Sequence, residues 1–149
     1  VSSTSLVVGV AFLLVGVLGF VPGVTTGYGD MAGSGHASMA MLFGVFQVSV
    51  LHNVVHLVFG LLGVVMSRAT AAARTFLLVG GAVYLGLWVY GLVTPETSSA
   101  NFVPLNTADD WLHLVLGIGM VLLGLVMPSR VSRGTAATYH GPTAGGDIQ

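Results

Sequence analysis

His52-Asn53-Val-Val-His56-Leu57-Val-Phe-Gly60-Leu-Leu-Gly63-Val-Val-Met66 is the stretch whose reading decides the fold. It is apolar enough for hydrocarbon, yet it carries an amide and two imidazoles. At about 100° per residue, Ser49, Asn53, His56, Gly60, Gly63 and Ser67 share one helical face, with His52 on its adjoining edge. Small residues on such a stripe let a neighbouring backbone approach, and buried Asn or His exchanges hydrogen bonds between helices. Facing lipid these groups would be costly, so the stripe is expected to face a bundle interior.

The rest of the chain agrees with that reading. Of 149 residues, 54% are hydrophobic and 6% charged, with four basic residues against five acidic ones and a formal net charge of −1. A soluble domain carries about 25% charged residues, so a water-facing surface is not expected. The composition leaves no basic footprint for nucleic acid. With no cysteine, disulfides, thiolate zinc sites and iron–sulfur ligation drop out. A membrane-crossing helix needs about 20 mostly apolar residues. Four stretches qualify, at about 6–21, 39–66, 75–93 and 108–127. The expected fold class is therefore all-α, an integral membrane four-helix bundle over 1–127. The tail at 128–149, rich in Gly, Ala and Thr, is expected to be disordered and cytoplasmic.

Arg68 and Arg74 flank the turn between the second and third spans, while Arg130 and Arg133 follow the fourth. The positive-inside rule makes that side cytoplasmic, placing the protein in the cell membrane as a multi-pass chain with both termini inside. Asp30, Glu96, Asp109 and Asp110 then fall outside, with an aromatic belt of Phe20, Tyr28, Trp88, Tyr90, Phe102 and Trp111. Val1-Ser2-Ser3-Thr4-Ser5 lacks the charged region of a signal peptide, so the first span is expected to be retained. Thr107-Ala-Asp-Asp110 reads as a capping box that starts the fourth helix.

The chain also repeats itself. Asn53-Val-Val-His56-Leu57-Val-Phe-Gly60 aligns with Asp110-Trp-Leu-His113-Leu114-Val-Leu-Gly117, and Val8-Gly9-Val-Ala11 more weakly with Val79-Gly80-Gly-Ala82. Two tandem helix-hairpin repeats in parallel orientation follow. On the fourth helix, Asp110, His113, Gly117 and Gly124 form a second stripe, so the two stripes should meet as a polar seam of Asn53, Asp110, Ser49, His56 and His113.

Such a seam admits different chemistries. It can be interhelical glue, with no cofactor. His56 and His113 can instead serve as axial ligands of a b-type haem, or join His52 in chelating a divalent metal ion. Proton passage along Asp110–His113–His56–Asn53 is disfavoured, because nothing polar continues it to the inner face. Thr25-Thr26-Gly27-Tyr28-Gly29-Asp30 looks like a potassium-channel filter, but no room remains for a pore helix, and it reads as a surface turn. His36 and His140 are loop and tail residues with no assigned role.

Phe46-Gln-Val-Ser-Val-Leu-His52-Asn53-Val-Val-His56-Leu57 and Asn106-Thr-Ala-Asp109-Asp110-Trp-Leu-His113-Leu114 carry a resemblance. The chain resembles a family of small four-span membrane proteins of high-GC Gram-positive bacteria, described as a domain of unknown function. The likeness covers about 6–127. The family usually has Asn where Asp110 stands here. The resemblance implies fold and membrane location, and no activity.

No nucleophile–base pair or nucleotide motif is present, so an enzyme is not expected. The expected function is a non-enzymatic polytopic membrane protein with a structural His/Asn/Asp seam. The alternative is a haem- or metal-binding redox protein using His56 and His113. Expected partners are the lipid bilayer and a second copy or another membrane protein.

Overall fold

A computed structural model describes residues 2–128. The expected tail lies, from position 129 on, outside the described residues, as do Arg130 and Arg133. Among the described residues four helices form: α1 (Ser3–Leu18), α2 (Val50–Met66), α3 (Thr70–Val93) and α4 (Thr107–Val126). Between α1 and α2 lies a three-stranded antiparallel sheet, β1 (Thr25–Thr26), β2 (Met41–Leu42) and β3 (Phe46–Gln47), in that order.

Helices α1, α2 and α4 start where a side chain accepts from a free N–H group. Ser2 caps α1 and Ser49 caps α2, the latter accepting from the His52 N–H at 3.1 Å. Beyond Leu18, α1 tightens into i→i+3 hydrogen bonds from Phe20 and Val21, so the expected end near Val21 is reached as a 3₁₀ turn.

Three expected boundaries are corrected. The second span does not start at Met39, because 39–47 turns back on itself to pair with β1. Phe43 and Gly44 adopt positive φ at that turn, and the helix waits for Ser49. The third helix starts at Thr70 rather than near 75, so Arg74 lies inside its first turns. The capping box of α4 is one residue earlier than Thr107/Asp110. Asn106 Oδ1 accepts from the Asp109 N–H, and Asp109 Oδ2 accepts from the Asn106 N–H.

α1 packs closely on α2, and α3 on α4. Inside each pair the backbones meet at glycine. A Cβ at Gly9 would lie 2.7 Å from Val64 N and 2.8 Å from Gly60 O, and a Cβ at Gly81 would lie 2.9 Å from Gly117 O and from Val121 N. Gly60 and Val64 occupy in α2 the places that Gly117 and Val121 occupy in α4. The contacts therefore pair Gly9 with Gly81, one residue later than the string match of Gly9 with Gly80. Gly19 against Asn53 and Gly91 against Asp110 repeat the same relation.

The two hairpins meet through rings. Phe12, Phe76, Leu77, Tyr84 and Met120 form the central buried cluster. At one end, the Ser2 N–H donates to Ser67 O at 2.6 Å and Ser2 Oγ lies 4.0 Å from Met127 S, gathering the first residues, the α2–α3 turn and the end of α4. The sheet and the 94–106 connection form the other end. They are joined by the Gly35 N–H to Phe102 O and by Asn106 Nδ2 to Val45 O.

Candidate functional site

The polar residues of α2 and α4 gather beneath the sheet. Ser49, His52, Asn53, His56, Asp109 and His113 are all buried. The α2 stripe faces inwards as a unit, since Gly60, Gly63 and Ser67 are buried with it. On α4 the buried face carries Asp109, His113, Gly117, Met120 and Gly124.

The rings form a connected stack. His52 and His56, one turn apart, lie face to face with centroids 4.7 Å apart, and His113 approaches His52 at 6.4 Å. Tyr84 meets His113 edge-on at 5.1 Å, and Phe12 stacks on both His56 (5.8 Å) and Tyr84 (5.2 Å). His56 Nδ1 is 3.1 Å from His52 O. A carbonyl only accepts, so that nitrogen carries the proton and Nε2 is left as an acceptor.

Asp109 ties the site to its cover. Its Oδ2 accepts from the Gln47 N–H of β3 and from the Asn106 N–H, both at 3.1 Å. Deep burial of this carboxyl is thus matched by backbone donors and by the N-terminus of α4. Gln47 itself donates through Nε2 to Ser38 O and His36 O, holding the sheet to the preceding loop. Ser38 completes the tie by donating to Val48 O at 2.6 Å.

Not every expected seam residue belongs to this cluster. Asp110 points into the α3–α4 contact against Gly91 and is only half-buried, while its neighbour Asp109 takes the place under the sheet. The reason is the one-residue shift of the capping box. The route Asp110–His113–His56–Asn53 is accordingly not continuous. Asn53 lies against Gly19, with Nδ2 3.8 Å from Met31 S.

The sequence reading missed Asp109, Tyr84, Phe12 and Gln47 as members of the site. Asn106-x-x-Asp109 fits the capping pattern as well as Thr107-x-x-Asp110, and that was the one available signal for Asp109.

The arrangement does not support the alternative reading of a haem or metal site. Among the described residues, no group of three or more His, Cys, Asp or Glu could hold a metal ion. His52 and His56 stack on each other, and the cavity they line, with Phe12, Phe46, Asp109 and His113, has a volume of about 80 Å³. Small-molecule sites run from about 300 Å³ upwards, and a porphyrin does not fit between these rings.

The model of one family, Domain of unknown function (DUF4383), matches residues 3–126. The chain belongs to that family. The match takes in all four helices, the sheet and the whole histidine cluster. No curated protein and no solved structure matches the chain significantly.

Proposed function

We propose that this member of the family is a non-enzymatic integral membrane protein of four spans, with Arg68 of the α2–α3 turn and Arg74 of the first turns of α3 on the cytoplasmic side. Two helices, α3 and α4, are long and apolar enough to cross a membrane. The observation that carries the larger reading is the reversal of polarity between surface and interior. Val7, Leu14 and Val17 on α1 are exposed. So are Val58, Leu61 and Val65 on α2, Val79, Val83 and Val89 on α3, and Val115, Leu122 and Leu125 on α4. Ser5, Asn53, His56 and His113 are buried.

An aliphatic surface of this extent is unfavourable in water and matches lipid. The lengths also fit this reading. α1 and α2, of 16 and 17 residues, rise about 24 and 26 Å at 1.5 Å per residue. Each is extended at the far end by the 3₁₀ turn or the sheet. In this reading the sheet and the 94–106 connection form an outer cap at headgroup level, where backbone groups outside helices find partners.

The seam is structural where its bonds are made. Ser5 Oγ donates to Gly63 O at 2.9 Å, Asp109 holds β3, and the His56 ring closes on its own helix. The protein then acts as an accessory or self-associating component of the cell membrane, with lipid and other membrane proteins as partners. The test is extraction of membranes with alkaline carbonate. The chain stays in the membrane pellet, and His56→Ala lowers the yield of folded protein. Release into the supernatant would end this reading.

A further inference from the structure

The turn from β2 to β3 carries an unusual residue. Phe43 and Gly44 have φ of 55° and 69°, and the Val45 N–H donates to Leu42 O at 3.1 Å, so the turn is of the I′ kind. Its first central position ordinarily holds Gly, Asn or Asp, because a bulky side chain is strained at positive φ. Among the described residues, Phe43 is the one non-glycine with positive φ. Such strain persists only where the surroundings hold it. The protein itself holds the ring poorly, since Phe43 stays 59% exposed.

Phe43 borders the cavity beneath the sheet together with Phe12 and Val15 of α1 and Leu112 and Leu116 of α4. At 1.5 Å per residue, Leu112 lies about 8 Å and Leu116 about 14 Å along α4 from its first residue. The ring therefore stands beside the first turns of α4, where Leu112 and Val115 are exposed. No charged residue occurs between Asp30 and Arg68. The backbone of the turn is closed as well. The N–H groups of Phe43, Gly44 and Val45 donate to Val24, Met41 and Leu42, and Val45 O accepts from Asn106 Nδ2 at 2.8 Å. A turn in water needs no such closure, whereas one bordering hydrocarbon does.

We infer that the β2–β3 turn is a membrane anchor in its own right. The Phe43 ring sits among the acyl chains of the outer leaflet, with its backbone at the headgroup border, and lipid holds the strained turn in place. This goes further than an outer cap at headgroup level, and it rests on the membrane reading above. Lipid is the partner because the exposed face of α4 assigned to it runs on, through Val115 and Leu112, to Phe43.

The chain has no cysteine, so a nitroxide spin label can be set at one residue of the full chain. Val45→Cys reads the turn, Ser34→Cys an exposed loop position, and Val79→Cys an exposed position on α3. Each labelled protein is returned to phosphatidylcholine vesicles. Its collisions with oxygen, which concentrates in hydrocarbon, are compared with those of a water-soluble nickel chelate. Oxygen is expected to dominate at 45 and 79, and the nickel chelate at 34. Phe43→Asn suits the turn better but removes the anchor, so the balance at 45 reverses towards nickel. Phe43→Leu keeps an apolar side chain and leaves that balance on the oxygen side. Nickel dominating at 45 while oxygen dominates at 79 overturns the anchor and leaves the membrane reading standing. Nickel dominating at 79 as well removes both. An unchanged balance at 45 in Phe43→Asn, or a reversal in Phe43→Leu, also overturns the inference.

Discussion

Within each hairpin the helices touch backbone to backbone; between the hairpins they are held apart by rings. Gly9 against Gly60 and Gly81 against Gly117 leave no room for a methyl group. Across the bundle, Phe12 meets Tyr84, Phe59 meets Phe76 and Tyr84, and His52 meets His113, with centroid separations of 5.1–6.4 Å. The close contacts are repeated in the two halves, and Gly9 and Gly81 meet the same two backbone atoms, the oxygen of Gly60 or Gly117 and the nitrogen of Val64 or Val121. The ring layer is repeated only in part: Phe12 beside His56 matches Tyr84 beside His113, but His52 in one half stands where Asp109 stands in the other. Each hairpin is thus a packed unit, and what individual chemistry the molecule has lies between the units.

That difference can be broken most severely at the ring layer. Phe12 touches His56, Phe59 and Tyr84, so Phe12→Ala should cost about 3–5 kcal/mol. A thermal melt in detergent would show it as a large loss of midpoint or as no folded protein. A melt close to that of the unaltered chain would mean that the hairpins do not depend on the rings.

The hairpin contacts come next. Gly9→Ala and Gly81→Ala each drive a methyl into the facing backbone and should cost about 1–3 kcal/mol. Equal losses for the two substitutions would sharpen the equivalence of the halves. A loss at one and none at the other would break it. Asp109→Asn follows: the amide oxygen can take the place of Oδ2 and still accept from Gln47 and Asn106, but without the carboxylate's charge each bond is weaker. About 1–2 kcal/mol is expected from the weakened cap, with faster amide exchange in 41–47 as the measured sign that the sheet has loosened.

The smallest effect has the opposite sign. Gly86 is on α3 like Gly81, but a Cβ there meets nothing. Gly86→Ala should stabilise by about 0.5–1 kcal/mol through helix propensity. The same substitution then destabilises at one turn of the helix and stabilises at another. A loss at Gly86 would show that its face is packed against something.

The sequence made part of this legible. Hydropathy reveals the helices because a hydrocarbon-length apolar run has few other uses, and the 3.6-residue period shows which face of α2 turns inwards. The sheet was not legible. Positions 39–48 are as apolar as a helix, and the turn that reverses them rests on positive φ at Phe43, a residue that rarely adopts it. The exchange of Asp110 for Asp109 came from two overlapping capping patterns, which spacing alone cannot rank. His52, His56 and His113 were legible as a group because helical spacing puts them on facing stripes. Tyr84 and Phe12 were not, since an aromatic on an apolar helix carries no mark of which neighbour it will meet.

In the proposed membrane topology, both hairpin connections with the acidic residues lie on one side of the membrane, and the α2–α3 turn beside Arg68 lies on the other. The chain has no cysteine, so single substitutions report position without background. Ser34→Cys, Ser99→Cys and Ala69→Cys, all at exposed positions, are treated in intact cells with a membrane-impermeant maleimide. In that topology, labelling occurs at 34 and 99, and at 69 only after the cells are opened. Labelling at 69 in intact cells, or protection at either 34 or 99, would contradict it.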